Sequence, residues 1–395
     1  MPKVDRFFRT HQYLVDHLDA PVRRQLMDEI DWSHRLIGIK GSRGVGKTTF
    51  LLQYAKQRAD DERSCLYINL NDLYFTVRSI VDFADEFRKK GGKTLLIDQV
   101  FKYPDWSSEL RYCYDNFPDL NIVFTGSSVM RLKEENPDLN DCVHSYNLRG
   151  FSFREYLNLM TGSDLCSYHL SEIIENHERI AEEIVKDVRP YAHFGSYLHH
   201  GYYPFFLEKR DFSSNLLKTV NATVEIDILG LKQIELKYLP KIKKLLYLLS
   251  VNSPALPNVS RLSTEIETSR ATVMNYIKYL KEARLLNLLY LQDELFPKKP
   301  DKVYLQNTNL MYAINPFNVH TQDLRETFLY NNLQRDNKVN ESSENAHFLV
   351  EKKYNISVYG KDDNFVNRAG QYYAVDMLEV GQGNMIPLWL FGFLY

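Results

Sequence analysis

The run Gly41-Ser42-Arg43-Gly44-Val45-Gly46-Lys47-Thr48 has the residue types and spacing of a phosphate-binding loop, GxxxxGK[ST], without a mismatch. Glycines let backbone N–H groups turn inward around phosphate oxygens, and a helix opening behind them adds its partial positive charge. In that chemistry Lys47 reaches the β- and γ-phosphates, Thr48 offers a hydroxyl to Mg²⁺, and the amide cradle runs on to Thr49. A second element should be an apolar strand ending in an acid beside the loop. Thr94-Leu-Leu-Ile97-Asp98 has that form, with Asp98 placed to hold Mg²⁺ through water. A third, Ile122-Val-Phe-Thr-Gly-Ser127-Ser128, is an apolar strand ending in small polar residues. Ser127 and Ser128 are either sensors of the γ-phosphate or ordinary turn formers.

These residues need elements to hold them. Between Arg35 and Leu148 short apolar runs alternate with helical stretches. Strands are expected at Leu36–Lys40, Cys65–Leu70, Thr94–Asp98, Asn121–Thr125 and Val143–Leu148, with helices starting near Thr48, Ile80 and Ser107. Alternation of this kind predicts a parallel sheet covered on both faces. The loop follows the first strand and opens a helix, which is the context the motif requires.

Beyond Gly162 the alternation stops. Glu172–Val188 and Ser213–Leu236 read as amphipathic helices around an aromatic Gly201-Tyr202-Tyr203-Pro204 turn. Helices at Lys241–Val251, Arg261–Glu267 and Thr268–Arg284, then strands at Leu285–Leu291 and Lys302–Leu305, spell a winged helix-turn-helix. Residues 240–302 carry eleven Lys/Arg against six Asp/Glu, a net +5, with Arg270, Lys278, Lys281 and Arg284 on the third helix. That face suits phosphates of DNA or a docking protein. The last segment mixes a helix, Glu326–Leu333, a polar loop, Gln334–Asn345, and further strands.

The whole chain has 395 residues, 44% hydrophobic and 25% charged, with a formal net charge of −2. That predicts two or three soluble domains and argues against a polyanion binder throughout. Cys65, Cys113, Cys142 and Cys166 lie far apart, without metal-ligand spacing, and are expected as reduced thiols of a cytoplasmic protein. The longest apolar run, Met385–Tyr395, is shorter than the roughly 20 residues a membrane span needs and contains Pro387. A buried strand and turn is expected there, and no membrane partner.

Several motifs together carry a family resemblance: Gly41–Thr49, Leu96-Ile-Asp-Gln-Val-Phe-Lys-Tyr-Pro-Asp-Trp106, Thr125-Gly-Ser-Ser128, Gly150-Phe-Ser-Phe-Arg154-Glu155-Tyr-Leu157, Gly201–Pro204, Arg325-Glu-Thr-Phe328 and the closing Ile386–Tyr395. The chain resembles the prokaryotic AAA-type ATPases that carry a C-terminal uncharacterised domain related to restriction-endonuclease folds. The resemblance implies ATP and Mg²⁺ as ligands, Lys47, Asp98, Gln99 and Ser127 as the catalytic set, a possible homo-oligomer and an unknown protein client. It also implies an ATPase core at 1–160, a helical lid at 161–239, a winged helix at 240–310 and a C-terminal α/β domain at 311–395, with Tyr202–Pro204 reporting closure.

The departures matter equally. The family places a glutamate after the strand-end aspartate, and here the residue is Gln99. Its Ser-Arg-Arg stretch, a source for an arginine finger, is replaced by Leu139-Asn140-Asp141-Cys142, leaving Arg131, Arg149 and Arg154 as substitutes. A nuclease of the restriction fold would draw on Glu326, Glu351 and Lys361, but Ser357 stands where a metal carboxylate belongs. Hydrolysis is therefore expected to be slow and the C-terminal domain inactive on DNA. The alternative is a nucleotide-gated DNA-binding switch that hardly hydrolyses ATP.

Overall fold

Five short strands lie side by side in the computed structural model, which describes residues 3–58, 63–130, 132, 136–208, 211–291, 296–364 and 366–395. They form β1 (Leu36–Gly41), β2 (Cys65–Asn69), β3 (Thr94–Asp98), β4 (Asn121–Ser127) and β5 (His144–Asn147). All pairings are parallel, in the order β2-β3-β4-β1-β5. The strand ends fall within two residues of those read from the sequence. Buried apolar runs made β1 to β4 legible, whereas β5 is polar and mostly exposed. Register sets Gly41 opposite Ser127 and Asn69 opposite Asp98, so the loop, the acid and the end of β4 share the carboxyl edge of the sheet. Ligands of open parallel sheets bind outside that edge.

The helices of this unit are α1 (Lys3–Asp16), the single turn α2 (Leu26–Glu29), α3 (Lys47–Lys56), α4 (Ile80–Lys89) and α5 (Trp106–Asn116). Helix α1 was not expected from the charged N-terminus. Its Val4, Phe7, His11 and Val15 are buried at helical spacing, and the helix packs on β2. As an edge strand, β2 has backbone donors to satisfy. His11 Nδ1 accepts one of them, Tyr67 N–H, at 3.0 Å, and burial lowers the imidazole pKa so that it stays a neutral acceptor.

The chain divides into two units, Met1–Arg149 and Gly150–Tyr395. The second contains α6 (Phe153–Thr161), α7 (Leu170–Asp187), α8 (Pro190–Ser196) and α9 (Phe212–Ala222), which runs through a π-helical turn, Thr223–Ile228, into the short α10 (Leu229–Leu231). Then come α11 (Leu239–Val251), α12 (Val259–Glu265) and α13 (Arg270–Glu282), followed by an antiparallel ribbon of β6 (Leu286–Leu289) and β7 (Lys302–Leu305). Helices α14 (Thr308–Ile314) and α15 (Thr321–Leu333) lead to a second sheet of β8 (Val339–Glu341), β9 (Phe348–Val350), β10 (Tyr354–Gly360), β11 (Gln371–Asp376) and β12 (Met385–Pro387). Its order is β12-β11-β10-β9-β8, with β8, β9 and β10 antiparallel and β10, β11 and β12 parallel.

One core joins the early helices to this late sheet. Phe153, Tyr156, Ile173 and Phe194 share it with Phe348, Ile356, Trp389 and Phe393. Helices α6 and α7 thus bury their apolar faces against the chain's last elements. The final apolar run is β12 and a 3₁₀ helix, Leu388–Phe393, every residue of which is buried. Gly392 is required there, since a Cβ would stand 2.5 Å from that of Phe153. Among the described residues no helix is long and apolar enough to cross a membrane.

Candidate functional site

The phosphate-loop residues connect β1 to α3. Gly44 and Gly46 have φ of 85° and 91°, left-handed conformations that cost a glycine nothing and other residues much. Gly46 caps α3, so the first amides of that helix face the loop unclaimed by any intrahelical carbonyl. Gly41 is needed for another reason: a Cβ there would lie 2.4 Å from the carbonyl oxygen of Leu148. Lys47 Nζ donates to the carbonyl oxygens of Gly41 and Ser42, both at 2.8 Å, so its ammonium is held inside the loop.

Asp98 ends β3 and is 1% exposed. A bare carboxylate so buried would be costly, and three hydroxyls solve the problem. Thr48 Oγ1 donates to its Oδ2 at 2.7 Å, Tyr67 OH donates to the same oxygen at 2.9 Å, and Thr125 Oγ1 donates to Oδ1. Burial, and then the Asp98 carboxylate, push the Tyr67 phenol well above its ordinary pKa, so it remains a donor. Gln99 follows in a left-handed conformation, φ 60° and ψ 47°, and its N–H donates to Thr125 Oγ1 at 3.0 Å. One threonine thus fixes both the acid and the backbone of the next residue.

Thr48 and Asp98 are therefore together, and Lys47 precedes Thr48 in the loop. Ser127 is buried opposite Gly41, and its Oγ accepts from Val129 N–H at 3.4 Å. The side chain of β4 that reaches Asp98 is Thr125, two residues earlier. Sequence reading also missed Tyr67 and Arg24. Arg24 is 7% exposed and donates through Nη1 to Val45 O at 3.1 Å and through Nη2 to Arg149 O at 2.7 Å. Only the burial implied by β2's apolar run hinted at Tyr67, and nothing local hinted at Arg24.

The substitute arginines fare differently. Arg154 is buried in the second unit, donating to Tyr395 O at 3.0 Å and Leu165 O at 3.1 Å, which removes it as a finger. Arg149 is half-buried, and Arg131 lies outside the described residues. In the second sheet, Glu326 is taken up by Tyr304 OH at 3.3 Å, Gln322 Nε2 at 3.4 Å and His347 Nε2 at 3.5 Å. Glu351 accepts from Lys338 N–H, Lys361 is exposed, and Ser357 is buried on β10 with an unpartnered Oγ. Arg325 of the Arg325–Phe328 motif pairs with Asp376 at 2.9 Å and Asp363 at 3.2 Å, a structural role.

Residues 33–157 match the model of a family described as AAA domain. That stretch is an AAA-type, ATPase-like P-loop domain. Residues 191–321 match a family described as a domain of unknown function (DUF8612). A curated relative is an uncharacterized protein of Methanocaldococcus jannaschii, 26% identical over 276 residues, which cover 65% of this chain and 56% of that protein. The chain thus spans little more than half the length of that relative. Among solved structures, a RuvB variant of Thermotoga maritima is 13% identical, covering 80% of this chain and 95% of that one at a TM-score of 0.28. DnaA of Aquifex aeolicus is 15% identical, covering 69% and 86% at 0.26.

Proposed function

We propose that the first unit binds ATP with Mg²⁺ and hydrolyses it slowly, using the nucleotide state to control the second unit. The observation that carries this reading is the meeting of a left-handed glycine loop, a helix start and the Thr48–Asp98 pair at one edge of a parallel sheet. The residues fit the ligand. Loop amides and Lys47 suit the β- and γ-phosphates, and Lys47 would exchange its two loop carbonyls for phosphate oxygens. The Thr48 hydroxyl and the Asp98 carboxylate are hard oxygen donors of the kind Mg²⁺ takes. Gln99 would orient water without taking its proton, and Ser127 lies at the mouth of the loop. Titration of the full chain with ATP and Mg²⁺ tests this; no saturable heat at millimolar nucleotide would refute it.

The reading extends to the architecture. We assign α11, α12, α13 and the β6–β7 ribbon to a winged helix, and the second sheet to an inactive relative of restriction-endonuclease domains. A cytoplasmic protein with four free thiols, three of them buried, suits this role. A neighbouring subunit would have to supply any arginine finger, which favours a homo-oligomer, with a protein client still to be found.

A second reading, the DNA-binding switch, is favoured by one feature. Arg270 and Lys299 line a concavity of about 690 Å³ between α13 and the ribbon, with Asn258, Ser260 and Met274. Several other basic residues are structural: Lys241 and Lys244 donate to Glu267 O and Glu265 O, which ties α11 to the end of α12. DNA affinity should therefore run through α13. Lys278→Ala with Lys281→Ala is expected to lower the slope of log K against log salt by roughly 0.9 for each phosphate no longer neutralised. An unchanged slope and affinity would make α13 a protein-docking helix.

The C-terminal unit is expected not to cut DNA. Glu326 and Glu351 are engaged elsewhere and Ser357 offers no charge. Incubation of plasmid with the protein and Mg²⁺ or Mn²⁺ checks this, and cleavage abolished by Lys361→Ala would reverse it.

A further inference from the structure

We propose that Arg24 is a positioning residue that carries the state of the phosphate loop to the peptide joining the two units. The inference rests on the reading of Gly41–Thr48 as a nucleotide site. Within the first unit, one buried guanidinium holds a loop carbonyl, Val45 O, and the last carbonyl of the unit, Arg149 O. A second tie runs parallel to it. Leu148 N–H donates to Lys40 O at 2.8 Å, and Gly41 leaves no room for a Cβ beside Leu148 O. The loop and the exit of β5 are therefore fastened together at two points.

Nucleotide must disturb the loop. Lys47 gives its ammonium to Gly41 O and Ser42 O, and a phosphate competes for the same charge. Carbonyls released at Gly41 and Ser42 shift the backbone that includes Val45, and Arg24 passes the shift to Arg149. The next residue has no slack. A Cβ on Gly150 would meet Tyr202 O and Tyr202 Cε1 at 2.4 Å. Phe151 N–H donates to Tyr202 O at 2.8 Å. Tyr202 in turn is held by Asn309 Oδ1, which accepts its N–H at 2.9 Å, and by Gln306 Nε2, which donates to its OH at 2.9 Å. Gln306 follows β7 directly. All three residues are buried, so a movement at Gly150 displaces a satisfied polar network and is not absorbed by solvent. This chain of contacts ends at the base of the ribbon, whose turn residues Pro297 and Lys299 line the basic groove.

The lysine variant separates this role from a plain structural one, because a single ammonium keeps the charge but lacks the planar fork that spans both carbonyls. Hydrogen exchange is followed on the full chain with and without ATP-Mg²⁺, at nucleotide concentrations that saturate each protein. In the wild type, the Phe151 and Tyr202 amides are expected to change exchange rate by about fivefold or more on nucleotide binding. In Arg24→Lys, the loop amides respond and the Phe151 and Tyr202 amides do not. A full response at Phe151 in Arg24→Lys overturns the proposal, as does a wild type whose loop amides respond while Phe151 and Tyr202 stay still. Absence of any nucleotide effect, at the loop included, overturns the nucleotide reading itself. Should Arg24→Lys fail to fold, Tyr202→Phe takes its place: the Phe151 response is expected to persist and that of the Gln306 amide to vanish. A Gln306 response kept in that variant overturns the relay.

Discussion

Gln99→Glu is expected to raise steady-state phosphate release by a factor of about 10²–10⁴, the usual contribution of a positioned general base. Gln99 follows the buried Asp98, and its backbone is fixed in a left-handed turn by the Thr125 hydroxyl. Glutamate has the same length and branching, so the turn is preserved while the side chain gains the capacity to take a proton. Glutamine can hydrogen-bond water through its amide oxygen but cannot accept its proton in the reaction. The comparison is made at saturating ATP-Mg²⁺, so that binding drops out. Equal rates would mean that position 99 does not face the attacking water, and the reading of β3 would have to be redrawn. A gain at the low end of the range would point to a second deficit, since a missing arginine finger alone withholds about 10³–10⁵.

Lys47→Ala is expected to weaken ATP binding by roughly 1.5–3 kcal/mol, about 10- to 150-fold in Kd. The ammonium is already drawn to the loop by two carbonyls at 2.8 Å, so its transfer to phosphate requires little reorganisation. Because those carbonyl contacts also brace the loop, thermal unfolding should accompany the calorimetry. A stable variant with unchanged affinity would remove the phosphate assignment.

The first unit was readable because β1 to β4 are buried and spell apolar runs, and because the loop motif is contiguous. Its site was only half readable. Thr48, Asp98 and Lys47 announce themselves by motif, whereas Tyr67, Thr125 and Arg24 act across 21 to 125 residues of chain. No local pattern encodes such meetings. Ser127 drew attention because it ends its strand, yet Thr125, two residues earlier on the same face, is the one that register sets level with Asp98. Helix α1 did carry its signal, Val4, Phe7, His11 and Val15 at helical spacing, under a misleading surface of charge. In the second unit, helices α7, α11 and α13 were legible by periodicity. Their partners were not, because the apolar face of a helix says what is covered and not by what.

That second core has a consequence for how the protein is made. Phe153, on α6, touches Phe393, with ring centroids 6.3 Å apart and nearly the whole unit between them in sequence. A ribosome adding about 5–20 residues per second needs roughly 10–50 s to bridge that gap. The first unit can close during this interval, since all five of its strands have already emerged. Phe153, Tyr156 and Phe194 must wait with their apolar surface uncovered until Trp389 and its neighbours arrive, which makes the nascent chain a natural client for a holding chaperone. A chain stopped after the ribbon would keep an intact nucleotide site and lack the cover for those rings, so it should bind nucleotide and aggregate at the same time.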